Sequence, residues 1–161
     1  MYLEEEVLAP SNFSMVESGV FRSSFPRTKN MGFLKRLQLK TVISLVPEDY
    51  PAALLEFYDK NGIEFSSNPL DGNKWPFKAI DIPNFIEALK VVINPLKRPL
   101  LIHCNKGKHR TGCLIACLRK YRGWGLSPIL TEYIIFAEPK PRLEDQRYIE
   151  AFDCSVIFNK V

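Results

Sequence analysis

Residues 100–112 read Leu100-Leu101-Ile102-His103-Cys104-Asn105-Lys106-Gly107-Lys108-His109-Arg110-Thr111-Gly112. The apolar triplet after Pro99 is short, bounded and uniformly hydrophobic, which suits a strand buried on both faces. The run Leu114, Ile115, Leu118 and Tyr121 repeats at helical spacing and stops at Gly123. A buried strand, a polar loop and a helix therefore follow one another without a break.

The neighbouring segments repeat this alternation. Thr41-Val42-Ile43-Ser44-Leu45-Val46 reads as an interior strand ended by Pro47, and Ile63-Glu64-Phe65 starts another. Residues 10–26 read as irregular, with a short strand around Val20-Phe21-Arg22. Asn30 is placed to cap a helix presenting Phe33, Leu34 and Leu37. Pro51 opens a helix carrying Leu54, Leu55 and Tyr58, closed by Asn61-Gly62. A further helix is predicted over about 82–93, with Pro83 in its first turn and Phe85, Ile86, Leu89, Val92 and Ile93 facing the core. Ser127-Pro128 signals the start of a helix that ends before Pro139, and a last helix spans about 143–153. These elements predict one α/β domain over residues 8–153, a central mostly parallel sheet flanked by helices on both faces. Chemistry in such sheets sits beyond the C-terminal strand ends, where the loop after Ile102 falls.

That loop contains Cys-x5-Arg, from Cys104 to Arg110. Gly107 permits a tight turn without a side chain at its centre. Successive backbone N–H groups can then form an anion nest, and the helix opening near Arg110 adds its own free donors. The Arg110 fork suits two oxygens of a phosphoryl group. The same positive surroundings favour a Cys104 thiolate, the nucleophilic form of cysteine. Cys104 would attack phosphorus, form a cysteinyl phosphate and be released by water. Thr111 is placed to donate its hydroxyl to Cys104 Sγ. Asn105, Lys106, Gly107, Lys108 and His109 line the cup with Arg110, and His103 orients the loop. The protein's own cations serve the phosphate charge, so no metal or other cofactor is implied.

A poor leaving group needs a proton. Asp71, 33 residues before Cys104 in the turn-rich stretch Asn68–Pro76, is the expected general acid. Asp81 is the rival, better suited to capping the 82–93 helix. Lys74 and Lys78 add positive charge on or near the same loop, and Trp75 stands at its end. Arg142, Asp145 and Gln146 are expected to form a polar network below the site. Cys113 and Cys117, four apart on one helix, read as core thiols.

Asn12-Phe13-Ser14, Phe21-Arg22-Ser23-Ser24-Phe25-Pro26, the run from Gly107 to Cys113, and Asp145-Gln146-Arg147 together carry a resemblance. With the Cys104 loop, they resemble the plant and fungal atypical dual-specificity phosphatases, a branch of the cysteine-dependent tyrosine phosphatases. The resemblance covers about residues 8–153. It implies a dual-specificity phosphatase fold, hydrolysis of inositol pyrophosphates, and phosphotyrosine peptide hydrolysis in some members. It also implies that Arg22 supports the loop by packing against it. The superfamily often has a Trp-Pro-Asp order around its acid, which the Asp71 loop lacks.

The 161 residues carry 22 Lys plus Arg against 18 Asp plus Glu, a mild excess that fits a local anion site better than nucleic-acid binding. Four cysteines make a poor disulfide framework, so a reducing, cytoplasmic setting is expected. The acidic start, Met1-Tyr2-Leu3-Glu4-Glu5-Glu6, does not read as a signal peptide, and no stretch approaches a membrane span. Expected partners are a highly phosphorylated small molecule and, secondarily, phosphoproteins. The alternatives are a protein tyrosine or dual-specificity phosphatase and a catalytically silent phospho-ligand module. Intact Cys104 and Arg110 argue against the latter.

Overall fold

A computed structural model describes residues 7–71 and 82–158. Five short strands form one sheet: β1 (Ser14–Glu17), β2 (Val20–Ser23), β3 (Thr41–Ser44), β4 (Glu64–Ser67) and β5 (Leu100–His103), in the order β1-β2-β5-β3-β4. β5 occupies the middle and runs parallel to β2 and β3, with His103 beside Ser23 on one flank and Ser44 on the other. Every residue of β5 is buried, as its unbroken apolar triplet requires.

The pleat sends alternate residues to opposite faces. Val20, Ile43, Leu100 and Ile102 enter one core with α3 (Ile82–Ile93), α4 (Arg110–Tyr121), α5 (Leu126–Ala137) and α6 (Leu143–Ala151). Val42 and Leu101 enter the other, against Leu34 of α1 (Met31–Arg36) and Leu54 and Tyr58 of α2 (Ala52–Lys60). Helices thus cover both faces, as the alternation predicts. Arg119 on α4 grips Glu132 on α5 with Nε to Oε1 at 3.1 Å and Nη2 to Oε2 at 3.0 Å. Lys120 Nζ donates to the carbonyls of Ile149, Glu150 and Phe152, holding the C-terminal end of α6 against α4.

Four local expectations change. Residues 14–23 are a hairpin: β1 pairs antiparallel with β2 through a register irregularity between Met15 and Glu17. Met15 is 62% exposed, so β1 lacks the apolar alternation that would reveal an edge strand. Asn30 precedes α1 but does not cap it. Its Oδ1 accepts the Arg27 N–H at 2.8 Å, and its Nδ2 donates to the Leu8 carbonyl at 3.0 Å. Leu55 on α2 is exposed, because it points away from the Leu54–Tyr58 stripe. Helix α5 starts at Leu126 after Gly125, which places Ser127 inside the first turn, where its carbonyl accepts from Thr131 Oγ1.

Among the described residues, no helix is long and apolar enough to cross a membrane. Asn30 is buried and both ends of its amide are satisfied, so Asn30→Ala should remove roughly 1–3 kcal/mol of stability. Urea unfolding of the two proteins measures the loss. A change within experimental error would show that these two bonds form equally well with water.

Candidate active site

The loop between β5 and α4 is built by its carbonyl groups. The Cys104 carbonyl accepts from His103 Nδ1 at 3.0 Å. The Asn105 carbonyl accepts the Phe25 N–H at 2.9 Å. The Gly107 carbonyl accepts from Arg22 Nη2 at 3.0 Å and from Asn12 Nδ2 at 3.1 Å. In a planar trans peptide the next N–H points the opposite way. The N–H groups of Asn105, Lys106 and Lys108 are therefore turned away from the residues that hold the carbonyls. Among the described residues, none of the N–H groups of residues 105–109 donates to a protein acceptor. A ring of free donors at the start of a helix is an anion cup.

Gly107 is required twice. Its φ is +71°, and a Cβ there would lie 2.5 Å from the Ser23 carbonyl oxygen. The loop thus presses directly on β2.

Arg22 does the holding from inside the protein. It is 1% exposed, its guanidinium lies 3.9 Å from the centroid of the Phe136 ring, and its Nε has no partner among the described residues. Arg22 pairs with Ile102 in the ladder, so it shares a sheet face with Ile102 and, two residues on, with Cys104. Burial lowers its pKa to about 10, while the nearby Glu132 and Cys104 act in the opposite sense. It stays charged at neutral pH, and Glu132 is already committed to Arg119. Asn12 reaches across as well: its Nδ2 also donates to the Phe136 carbonyl at 3.2 Å.

His103 is fully buried, and desolvation brings its pKa down from 6.5 to about 4. The neutral ring carries its proton on Nδ1, the atom facing the Cys104 carbonyl. Its Nε2 then accepts from Tyr50 Oη at 2.9 Å, and Tyr50 Oη accepts from Tyr58 Oη at 2.8 Å. Burial raises the pKa of both phenols, so the chain of donors stays intact. Sequence reasoning missed Tyr50 and Tyr58, because the relay joins residues 50, 58 and 103 across three separate segments.

His109 is half-buried and its Nε2 donates to the Lys140 carbonyl at 2.7 Å, tying the loop to the chain after α5. Burial lowers its pKa. Cys104 is 2% exposed, at the end of β5. Arg110 opens α4, and its Nη1 donates to the Leu70 carbonyl at 3.4 Å. Asp71 is the next residue after Leu70 and is exposed, so the chain carrying it is brought to Arg110. Lys74, Trp75, Lys78 and Asp81 lie outside the described residues. Thr111 Oγ1 is buried and has no hydrogen-bond partner among the described residues, so the expected bond to Cys104 Sγ is not formed.

Asp145 is buried below the loop and accepts from Tyr133 Oη, which itself accepts the Arg142 N–H at 3.1 Å. The network expected of Arg142, Asp145 and Gln146 is met in part: Tyr133 is its unanticipated centre, Arg142 enters through its backbone N–H, and Gln146 Nε2 donates to the Arg142 carbonyl at 3.3 Å. Cys113 is buried beside Asp145, and burial holds its thiol well above the ordinary range. Cys117 is likewise buried, with no disulfide to any other cysteine.

A model of the tyrosine phosphatase family matches residues 7–161. The chain belongs to that family. Within the tyrosine phosphatase family, it is 48% identical to inositol diphosphatase SIW14 of Saccharomyces cerevisiae over 154 residues, covering 94% of this chain and 54% of that protein. It is also 48% identical to inositol diphosphatase DSP3 of Arabidopsis thaliana over 149 residues, covering 92% of this chain and 73% of that protein. The chain thus spans about half the length of the yeast relative. Among solved structures, it resembles the core catalytic domain of the S. cerevisiae PP-IP phosphatase SIW14 in complex with citrate. The TM-score is 0.88 at 45% identity, with 95% of this chain and 92% of that chain covered.

The neutral His103 has a measurable consequence. Between about pH 6.5 and 4, the unfolded chain binds a proton at this position that the folded protein refuses, so stability falls as pH falls through that window. The full effect is roughly 3 kcal/mol. In urea unfolding at pH 7, 5.5 and 4.5, the advantage of wild type over His103→Gln should shrink steadily with acidification. A constant gap would show that His103 is not held neutral.

Proposed function

We propose that this chain is a phosphatase that hydrolyses the pyrophosphate group of inositol pyrophosphates through a cysteinyl-phosphate intermediate. The observation that carries the reading is the set of outward-tied carbonyls, which leaves free N–H donors around Cys104. The names of the yeast and Arabidopsis relatives support the substrate class.

In this reading the terminal phosphoryl group enters the cup formed by Asn105, Lys106, Gly107, Lys108, His109 and Arg110. Cys104 Sγ attacks its phosphorus. The bond from phosphorus to the bridging oxygen breaks, and that oxygen leaves as part of the phosphate retained on the inositol ring. Backbone N–H groups and the Arg110 fork stabilise the equatorial oxygens. Water then attacks the cysteinyl phosphate, releasing inorganic phosphate and restoring the thiolate. Arg22 adds a buried positive charge on the same sheet face as Cys104 and holds the Gly107 carbonyl of the loop. His103 fixes the Cys104 carbonyl and with it the first turn of the loop.

Asp71 is the general acid of this proposal. A departing phosphate, whose second pKa is about 6, needs less protonation than an alkoxide. The activity belongs in the cytoplasm, where Cys104 stays reduced.

Matched rates on an inositol pyrophosphate and on phosphotyrosine peptides test the substrate class. Preference for the peptides would transfer the reading to a protein tyrosine phosphatase. Cys104→Ser should abolish turnover while retaining substrate binding, since the hydroxyl stays protonated at similar size. Turnover near wild type would mean another group attacks phosphorus.

Asp71→Asn should slow aryl and alkyl phosphates by about 10²–10⁴-fold, with the pyrophosphate loss at or below the lower bound. Rates across leaving groups of graded basicity check this. Equal slopes for wild type and variant would remove Asp71 from the role.

A further inference from the structure

Beside the cup lies a groove of about 780 Å³, walled by Asn12, Phe25 and Phe136 among others, but by neither Cys104 nor Arg110. Its volume falls within the roughly 300–1,000 Å³ of small-molecule sites and far exceeds what one phosphoryl group fills. Three cations line it, Arg27, Lys106 and Lys108, against one carboxylate, Glu138. None of the three cationic side chains makes an ion pair or hydrogen bond among the described residues. Their charge is therefore available to a ligand.

The walls are fixed. Phe136 rests on the buried Arg22 guanidinium, and its carbonyl is held by Asn12. Phe25 is bonded through its N–H to the Asn105 carbonyl and packs on His103 and Tyr50. The Arg27 backbone is pinned by Asn30. Lys106 and Lys108 belong both to the catalytic loop and to the groove, so the two spaces adjoin. A rigid, cationic recess next to a phosphoryl cup suits a molecule whose further phosphates extend sideways from the reacting one.

We propose that this groove is a second phosphate subsite, which takes phosphates remote from the scissile bond, with Arg27 attracting them and Glu138 limiting their hold. The inference rests on the polyphosphorylated substrate class proposed above. A substrate with one phosphate fills the cup and leaves the groove empty. Arg27 and Glu138 therefore act on substrates according to their phosphate number, and they enter through KM with kcat unchanged.

The test compares wild type, Arg27→Ala and Glu138→Gln, whose altered side chains are exposed on the surface. KM is measured for an inositol pyrophosphate and for p-nitrophenyl phosphate, together with inhibition of p-nitrophenyl phosphate hydrolysis by inositol hexakisphosphate. Arg27→Ala should raise KM for the pyrophosphate about fivefold or more, the loss of one charge-assisted contact at a solvent-exposed site. Glu138→Gln should lower it about twofold, the removal of one unfavourable charge. Both variants should leave p-nitrophenyl phosphate kinetics at the wild-type level. Inhibition by inositol hexakisphosphate should be competitive, weakened in Arg27→Ala and strengthened in Glu138→Gln.

Unchanged pyrophosphate KM and unchanged inhibition in both variants would overturn the proposal, as would equal effects on both substrates. Noncompetitive inhibition would also overturn it, assigning the groove to a separate anion. If wild type does not turn over the pyrophosphate, the substrate reading fails, and the inhibition arm alone decides whether the groove binds phosphates as proposed.

Discussion

A peptide carbonyl cannot be turned outward without turning the following N–H inward, and this coupling organises the whole site. Four groups hold three carbonyls of the loop: the His103 ring, the Phe25 amide, and the Arg22 and Asn12 side chains together on Gly107. They come from β5, from the chain after β2, from β2 itself and from the segment before β1. The sheet order places these elements around one another, with β5 central and β2 at its side. The fold thus acts as a jig that fixes the loop from outside and leaves its interior donors unspent.

The means of holding Gly107 is expensive in isolation. A guanidinium removed from water without a carboxylate partner loses much solvation. Here one Nη2 bond and the face of Phe136 offset part of that cost, and the burial shows in a pKa lowered to about 10. A hydrophobic side chain at position 22 would pack with less penalty, but it would release the carbonyl that the loop geometry needs. Stability is given up locally so that charge and orientation are available near Cys104.

Much of this was legible in the chain. The run Leu100–Ile102 reads as a central strand because nothing polar interrupts it, and Cys104 to Arg110 reads as an anion loop because its glycine, cations and following helix have one common physical use. Helices α3 and α4 follow from their apolar spacing. β1 was hidden because a half-exposed edge strand of four residues leaves no periodic signal. The Tyr58–Tyr50–His103 relay and the Asp145–Tyr133 contact were hidden for another reason. Each joins residues whose proximity is created by tertiary packing, and a tyrosine in sequence reads equally well as core. Asn30 misleads because its amide serves the turn before the helix it precedes. The groove escaped notice because Arg27 and Glu138 are over a hundred residues apart in the chain and meet only through the folding of the segments between.

Asn12 sits before the first strand, outside every helix and strand, yet its one amide nitrogen joins the Gly107 carbonyl to the Phe136 carbonyl at the end of α5. The segment before the first strand is thus stitched at a single atom to two parts of the molecule that lie 95 and 124 residues further along the chain. The functional boundary of the domain therefore differs from its architectural one. A fragment cut at Ser14 would retain the five strands and six α-helices of the described residues, pass as folded by its secondary structure, and present the 104–110 loop with one of its moorings gone.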